Sequence, residues 1–388
     1  MNDHMTVIMK PTNQCNLRCK YCYHAENGYS NDKMSEATLQ KTIAVTAPFV
    51  KHITYNWHGG EPLMMGLDFY RKAIFYQNKF KRPNQIIRNT IQTNGTLLTD
   101  DFASFFKKNN FGVGISYDGP FNDSVRGSTN KTLFGYSNVL NADISCGTIT
   151  VIGEHNINNL TDIYEYFKKR HISFKIAPMF NSGAAKENSE LLINSPESYG
   201  NAVMALFDYW IKDKTGDISI RPLDKYIHSY FVKRMRSCTR NNCMYHMVSV
   251  YSDGSVYPCG KSYSKEYCIG NISNVSDINQ LFNNSIYQNI ASSRSKRNEY
   301  CSKNCDIYDY CRAGCNNDSI IAGDLTKPDK FQCVYHKMLL EHIHSIVRSY
   351  LNKNITIENQ VVKKHIQKFQ NKGPRKKMCK QYLTNLDK

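Results

Sequence analysis

The sequence predicts an α/β protein: an open, partial (β/α)6 barrel of the TIM type, followed by a small cysteine-rich domain. Three observations carry that prediction. Short apolar runs alternate with amphipathic helical stretches through about the first 220 residues, the pattern of βαβ units on a parallel sheet. From residue 221 the long apolar repeats stop, and nine of the 14 cysteines fall between 238 and 333. Three more, Cys15, Cys19 and Cys22, follow the first apolar run, on the loop where such a barrel builds its active site.

The six strand candidates are 6–10, 52–57, 86–92, 112–117, 147–152 and 173–178. Between them, Ser35-Glu36-Ala37-Thr38 opens a helix that ends before Pro48, and Thr99 with Asp100 and Asp101 caps another through Lys108. Helical periodicity also covers 159–170 and 196–212. On this reading residues 1–220 form the barrel. A second domain, 221–351, opens with a helix over 223–236. An alternating stretch over 247–258 then turns at Asp253-Gly254, a hairpin signature. A last helix over 332–351 carries Leu339, Leu340 and Ile343. The rest of this domain is rich in Cys, Asn, Ser and Tyr, so bound metal has to supply much of its stability. Residues 352–388 hold ten Lys/Arg against two acidic residues and read as a basic, solvated, partly disordered tail.

No run of 18 apolar residues occurs among the 388, which argues against a membrane-spanning helix. No charged-then-apolar signal opens the chain, so a cytoplasmic protein is expected. In a reducing compartment clustered cysteines bind metal or do chemistry rather than form disulfides. The net charge of +17 suits nucleic acid or an acidic peptide, but no helix-turn-helix, zinc-finger or RNA-binding signature favours nucleic acid.

The triplet Cys15-x₃-Cys19-x₂-Cys22 places three thiols on one short loop. Three thiolates can ligate three irons of a [4Fe–4S] cube and leave the fourth iron open, as reactive metal sites do. A zinc knuckle or a disulfide pair is the plain alternative, although zinc usually draws its ligands from separated pairs. Two further motifs close predicted strands. Trp57-His58-Gly59-Gly60-Glu61-Pro62-Leu63 follows the second strand, and its paired glycines let the backbone approach a ligand closely. Gln92-Thr93-Asn94-Gly95 closes the third strand. Ser116-Tyr117-Asp118-Gly119-Pro120 closes the fourth, with Arg126 behind it.

The triplet resembles the signature of the radical S-adenosylmethionine (SAM) superfamily. That resemblance implies a [4Fe–4S] cluster on Cys15, Cys19 and Cys22, whose open iron chelates the amino and carboxylate groups of SAM. It implies that Tyr21 packs near the adenine. Gly59, Gly60, Glu61 and Pro62 match the family's GGE motif, which receives the methionyl amino group. Ser116 and Arg126 match residues that hold the SAM ribose or carboxylate. Asn94 and Asp118, at neighbouring strand ends, complete the expected cofactor-binding set, with capping of the following turn as the ordinary role of Asp118.

In the cysteine-rich half, Cys238, Cys243 and Cys259 precede Cys301-x₃-Cys305-x₅-Cys311-x₃-Cys315-x₁₇-Cys333. This spacing resembles the SPASM domain, an extension of radical SAM enzymes with two auxiliary [4Fe–4S] clusters. The resemblance implies an interleaved ligand set: Cys238, Cys243, Cys259 and Cys315 on one cluster, and Cys301, Cys305, Cys311 and Cys333 on the other. Cys146, Cys268 and Cys379 are left over.

The resemblance is nearest to the anaerobic sulfatase-maturing enzymes and to the maturases of ribosomally made peptides. In the sulfatase maturases an Asp directly follows the cysteine matching Cys259 and serves as the catalytic base. Here Gly260 and Lys261 stand there. The expected function is therefore an oxidoreductase that cleaves SAM to a 5′-deoxyadenosyl radical and takes hydrogen from a residue of a ribosomally made peptide, leaving a cross-link or an oxidation. Sulfatase maturation, forming formylglycine from Cys or Ser, is the alternative. Three [4Fe–4S] clusters, SAM, a peptide or protein substrate and a flavodoxin- or ferredoxin-type electron donor complete the expectation.

Overall fold

The structure, a computed structural model, describes residues 3–27, 30–235, 243–261 and 264–370. Its centre is one ten-stranded sheet in the order β10-β9-β8-β1-β2-β3-β4-β5-β6-β7. The strands are β1 His4–Lys10, β2 His52–Trp57, β3 Ile86–Thr93, β4 Gly112–Ser116, β5 Cys146–Ile152, β6 Phe174–Pro178, β7 Ile220–Arg221, β8 Met247–Tyr251, β9 Ser255–Tyr257 and β10 Gly270–Asn271. β1 to β6 are parallel and follow in sequence order, each crossing over through a helix, so the expected six-strand open barrel is present.

Side-chain alternation sets the layers. On β1, Met5, Val7 and Met9 are buried under the helices, while Thr6, Ile8 and Lys10 share the opposite, interior face. Side-chain caps announce several helices. Ser35 accepts from Thr38 N at the start of Glu36–Thr46, Thr99 from Phe102 N at Asp100–Lys108, and Ser195 from Glu197 N and Ser198 N at Pro196–Lys212. Two barrel helices were not foreseen, Leu67–Phe80 and Thr129–Asn141. Neither has a side-chain cap at its N-terminus, so the usual start signal is missing.

The second domain continues the barrel sheet. β8 pairs in parallel with β1, Thr6 opposite Met247 through Lys10 opposite Tyr251, and β8 and β9 form the expected hairpin. The cysteine-rich segment is thus bonded to the edge of the barrel beside the Cys15 loop. Three further elements differ from expectation. The helix expected over 223–236 ends as Leu223–Val232, with Lys233 in the left-handed region. A 20-residue helix, Ser285–Asn304, occupies a stretch with no apolar period, because its buried side includes Arg294 and Arg297. The region from 352 is not a uniformly solvated tail. Helix Gln360–Gln370 buries Val362 and Ile366 against Leu223–Val232, and Asn359 bonds back to Ile211 O and Asp213 O. Its short apolar repeat is hidden by surrounding lysines. Residues 371–388 lie outside the described residues.

Helix Lys330–Leu351 buries Leu339, Leu340 and Ile343 against Pro196–Lys212 and Leu223–Val232, joining both halves of the chain in one core. Among the described residues no helix is long and apolar enough to cross a membrane.

Candidate active site

Cys15, Cys19 and Cys22 lie on the loop between β1 and the short helical turn Tyr23–Asn27, all as free thiols. Burial pushes the Cys15 thiol up to about 11. The nearby Glu61, Cys19 and Cys22 add to that rise, while the Leu17 N–H opposes it. Cys19 is raised as well, by burial first, against the pull of the Arg126 guanidinium. Three soft donors on one short loop suit an iron–sulfur group. The loop is braced from several sides. Lys20 N donates to Val125 O at 2.9 Å, and Ala184 N to Cys22 O at 3.0 Å. Gly183, at φ +59, lies so close that a Cβ there would meet Cys22 O at 2.3 Å.

The Gly-Gly-Glu segment after β2 is zipped onto this loop. Gly60 N donates to Thr12 O at 2.9 Å and Glu61 N to Gln14 O at 2.8 Å. A Cβ on Gly60 would sit 2.2 Å from Gln14 O, and one on Gly59, at φ +120, 2.6 Å from Thr12 O. The close approach that the glycines permit is therefore to the cysteine loop's own backbone. Glu61 is fully buried. Its Oε1 accepts from Leu63 N at 3.0 Å and Thr93 Oγ1 at 2.7 Å, and its Oε2 from Asn94 N at 2.8 Å. Three of the roughly four lone-pair sites of the carboxylate are thus used, which leaves one for a cationic donor. Burial pushes its pKa up, against these three donors. Pro62 starts the next turn and its carbonyl accepts from Tyr70 OH at 2.7 Å. Asn94 Nδ2 reaches Asn16 Oδ1 at 2.9 Å and Cys15 Sγ at 3.9 Å, so the end of β3 also steadies the triplet.

Tyr21, Asp118 and Arg126 form the opposite wall. The Tyr21 hydroxyl donates to Asp118 Oδ2 and accepts from Arg126 Nη1 at 2.8 Å. Asp118 Oδ1 accepts from Val151 N at 2.8 Å. Asp118 makes no side-chain cap to the following turn. Its carboxylate is committed to Tyr21 and β5 instead. Burial raises its pKa, opposed chiefly by Arg126. Ser116, at the end of β4, accepts from Gln92 Nε2 at 2.9 Å.

Sequence reasoning missed Lys10, Glu26, His24 and His58. Lys10 is fully buried, and its Nζ donates to Gly260 O at 2.5 Å and to Tyr251 OH at 2.7 Å. Burial brings its pKa down to about 7, against the pull of Cys259 and Cys22 on either side. Its interior parity on β1 was the available signal. His24 and His58 lie 5.4 Å apart between ring centroids, and burial takes His58 down to about 4, so its imidazole is neutral. Glu26 bonds Gly183 N at 2.6 Å and pairs with Lys186, which fastens the loop after β6 to the cysteine loop. A Cβ on Gly260 would meet Ile8 Cδ1 at 3.0 Å.

Farther along, Cys301, Cys305, Cys311 and Cys333 line one cavity of about 260 Å³, the set expected for one auxiliary cluster. Cys259 lies near enough to Cys315 to add to the rise of its thiol, and Cys315, Cys301 and Cys243 all favour the charged form of Arg297. Cys238 lies outside the described residues, as does Cys379. Cys146 is half-buried, its thiol pushed up to about 12 and directed at Gly147 O, and Cys268 donates to Gly270 O at 3.4 Å.

Residues 9–167 match the radical SAM superfamily, and residues 214–306 match SPASM, an iron–sulfur cluster-binding domain. The chain belongs to the radical SAM superfamily and carries a SPASM domain on its C-terminal side, which makes it a radical SAM/SPASM enzyme. It is 32% identical over 332 residues to the cysteine-type anaerobic sulfatase-maturating enzyme of Clostridium novyi (strain NT), covering 81% of this chain and 88% of that protein. The solved structure of native anSMEcpe with bound AdoMet and Cp18Cys peptide is 25% identical at a TM-score of 0.76, covering 91% of this chain and 100% of that one. Streptococcus suis SuiB bound to precursor peptide SuiA is 15% identical at a TM-score of 0.62, covering 86% and 76%, and shares the fold alone.

Proposed function

We propose that this chain is an anaerobic protein maturase of the sulfatase-maturing kind, oxidising a cysteine side chain of a protein substrate to formylglycine. The similarity to the cysteine-type sulfatase-maturating enzyme, which runs through both domains, carries this reading. It outweighs the expectation of a ribosomal-peptide maturase, for which the likeness to SuiB supplies only a shared fold. Gly260 is the one feature favouring that second reading, because it removes the carboxylate that the family places after this cysteine.

In this proposal Cys15, Cys19 and Cys22 hold a [4Fe–4S] cluster, and two SPASM clusters sit on the interleaved cysteine sets. A reduced cluster held on the Cys15 loop would supply the one-electron cleavage of SAM. The protein's part is positioning and enclosure. Gly59, Gly60 and Glu61 lock the triplet loop to β2 and offer the last acceptor site of Glu61 to the SAM ammonium. Asn94 steadies Cys15 from β3. Tyr21, Asp118 and Arg126 form a bonded wall for the adenosyl side, with Ser116 at its edge. Lys10, Tyr23, His58 and Tyr251 fill the space between Cys22 and Cys259 and keep water from a reactive intermediate. A reduced flavodoxin or ferredoxin delivers the electron.

The assay is direct. Oxygen-free, iron-loaded protein is incubated with SAM, dithionite and a short peptide bearing a sulfatase-type cysteine. The expected product has lost the thiol and reacts with a carbonyl reagent, and the Ser version of the peptide turns over more slowly. Cleavage of SAM with the peptide unchanged would overturn the sulfatase reading and return the substrate to a short ribosomal peptide.

A further inference from the structure

Helix Ser285–Asn304 turns Ile290, Arg294, Arg297 and Cys301 to its buried side, at helical spacing. A bland helix would carry leucine at the two arginine positions. Arg297 is 0% exposed and Arg294 3%. Their hydrogen bonds go to neutral acceptors. Arg297 donates from Nε to Ala313 O at 2.9 Å, from Nη2 to Asn316 Oδ1 at 2.5 Å, and from Nη1 to Leu325 O. Arg294 donates from Nη1 to Gly314 O at 2.9 Å and Asn316 Oδ1 at 3.1 Å, and from Nη2 to Arg312 O at 2.9 Å. Its buried Nε has no hydrogen-bond partner. Among the described residues neither arginine forms an ion pair with a carboxylate.

Two neighbouring buried cations without a carboxylate counter-charge are costly to desolvate. Burial, with Arg294 beside it, brings Arg297 down to about 10, so it remains a cation at neutral pH. The groups that pull the other way are thiols from both cysteine sets: Cys315 and Cys243 of one, Cys301 of the other. Cys301 follows Arg297 by about one turn on the same buried side, and the arginines' acceptors Ala313 O, Gly314 O and Asn316 Oδ1 flank Cys315, so the pair stands between the two sets. A four-thiolate iron–sulfur cluster carries a net negative charge that grows on reduction, and its potential follows local charge and hydrogen bonding.

We propose that Arg294 and Arg297 form a buried cationic bridge between the two auxiliary cluster sites, neutralising both clusters and raising their reduction potentials. This rests on the reading that the two cysteine sets hold clusters. A cation at close range favours the more negative, reduced form, and a bridge shared by two clusters moves both potentials the same way. The pair thereby makes the auxiliary clusters better acceptors for an electron leaving the substrate.

The test uses iron-loaded full-length protein in redox titrations followed by electron paramagnetic resonance. Arg297→Met should lower the auxiliary potentials by at least a tenfold change in the reduction equilibrium, 59 mV for one electron. Arg297→Lys, which keeps the charge, should recover more than half of that shift. The signal of the Cys15 cluster should not move. With iron removed, Arg297→Met should melt at or above the temperature of the wild type, because the uncompensated cation is gone. Unchanged auxiliary potentials in fully loaded Arg297→Met would overturn the proposal. So would equal iron loss in the Met and Lys variants, which assigns the arginines to the carbonyl network alone. Wild-type iron near four per chain would instead overturn the cluster reading beneath it.

Discussion

Cys19→Ala is expected to reduce 5′-deoxyadenosine formation to background and to lower iron by about four per chain, with the auxiliary-cluster signals retained. Cys19 is the most buried of the three loop cysteines, and the Arg126 guanidinium lies close enough to favour its thiolate. Its carbonyl also accepts from Cys22 N at 3.1 Å, a backbone bond that the substitution leaves in place. The variant should therefore fold, and its loss should be confined to SAM cleavage. The decisive measurements are iron content, resonance spectra and 5′-deoxyadenosine yield on one preparation. Retained SAM cleavage would remove the triplet from the radical-generating role.

Gly60→Ala is expected to cause nearly as large a loss without touching a ligand. The added Cβ would overlap Gln14 O at 2.2 Å and Asn13 O at 2.6 Å, and both are backbone atoms with little room to yield. Two inter-loop bonds, Gly60 N to Thr12 O and Glu61 N to Gln14 O, must stretch to relieve it. That strain reaches Cys15 one residue later. A cost of about 2–3 kcal/mol in stability is expected from overpacking of this kind. Iron affinity at the triplet should fall by about tenfold or more, the usual effect of disturbing the groups that orient ligands. The auxiliary clusters, on distant segments, should stay loaded. A melting curve and site-resolved iron signals check both halves of the prediction. Wild-type SAM cleavage by Gly60→Ala would mean that the glycine serves only the local turn.

The barrel was largely legible because each strand carries its own signal. Met5, Val7 and Met9 alternate with Thr6 and Ile8, and the five strands that follow repeat the pattern between capped or periodic helices. Cysteine spacing was informative for a different reason: Cys301, Cys305, Cys311 and Cys333, grouped from the sequence, line one cavity. What escaped depends on contacts between distant residues. The parallel pairing of β1 with β8 joins residues some 240 apart and leaves no local trace. β7 has two residues, too few for a period. Helix Ser285–Asn304 replaces apolar positions with arginine, and helix Gln360–Gln370 hides Val362 and Ile366 among lysines. At the site, Gly59 and Gly60 read as close approach to a ligand. The partner they approach is the cysteine loop, which only the packed structure reveals.

Gly260 led the sequence reading away from sulfatase maturation, while the similarity of the whole chain leads back to it. The Gly260 carbonyl accepts from Lys10 Nζ at 2.5 Å, and the position itself carries no titratable side chain.

In the proposed reaction the radical made at Cys15, Cys19 and Cys22 takes hydrogen from the side chain of a cysteine in a protein substrate. A substrate peptide deuterated at the Cβ of its target cysteine tests this. The expected result is 5′-deoxyadenosine carrying one deuterium, in step with loss of the thiol. Unlabelled 5′-deoxyadenosine alongside full conversion of the peptide would contradict it.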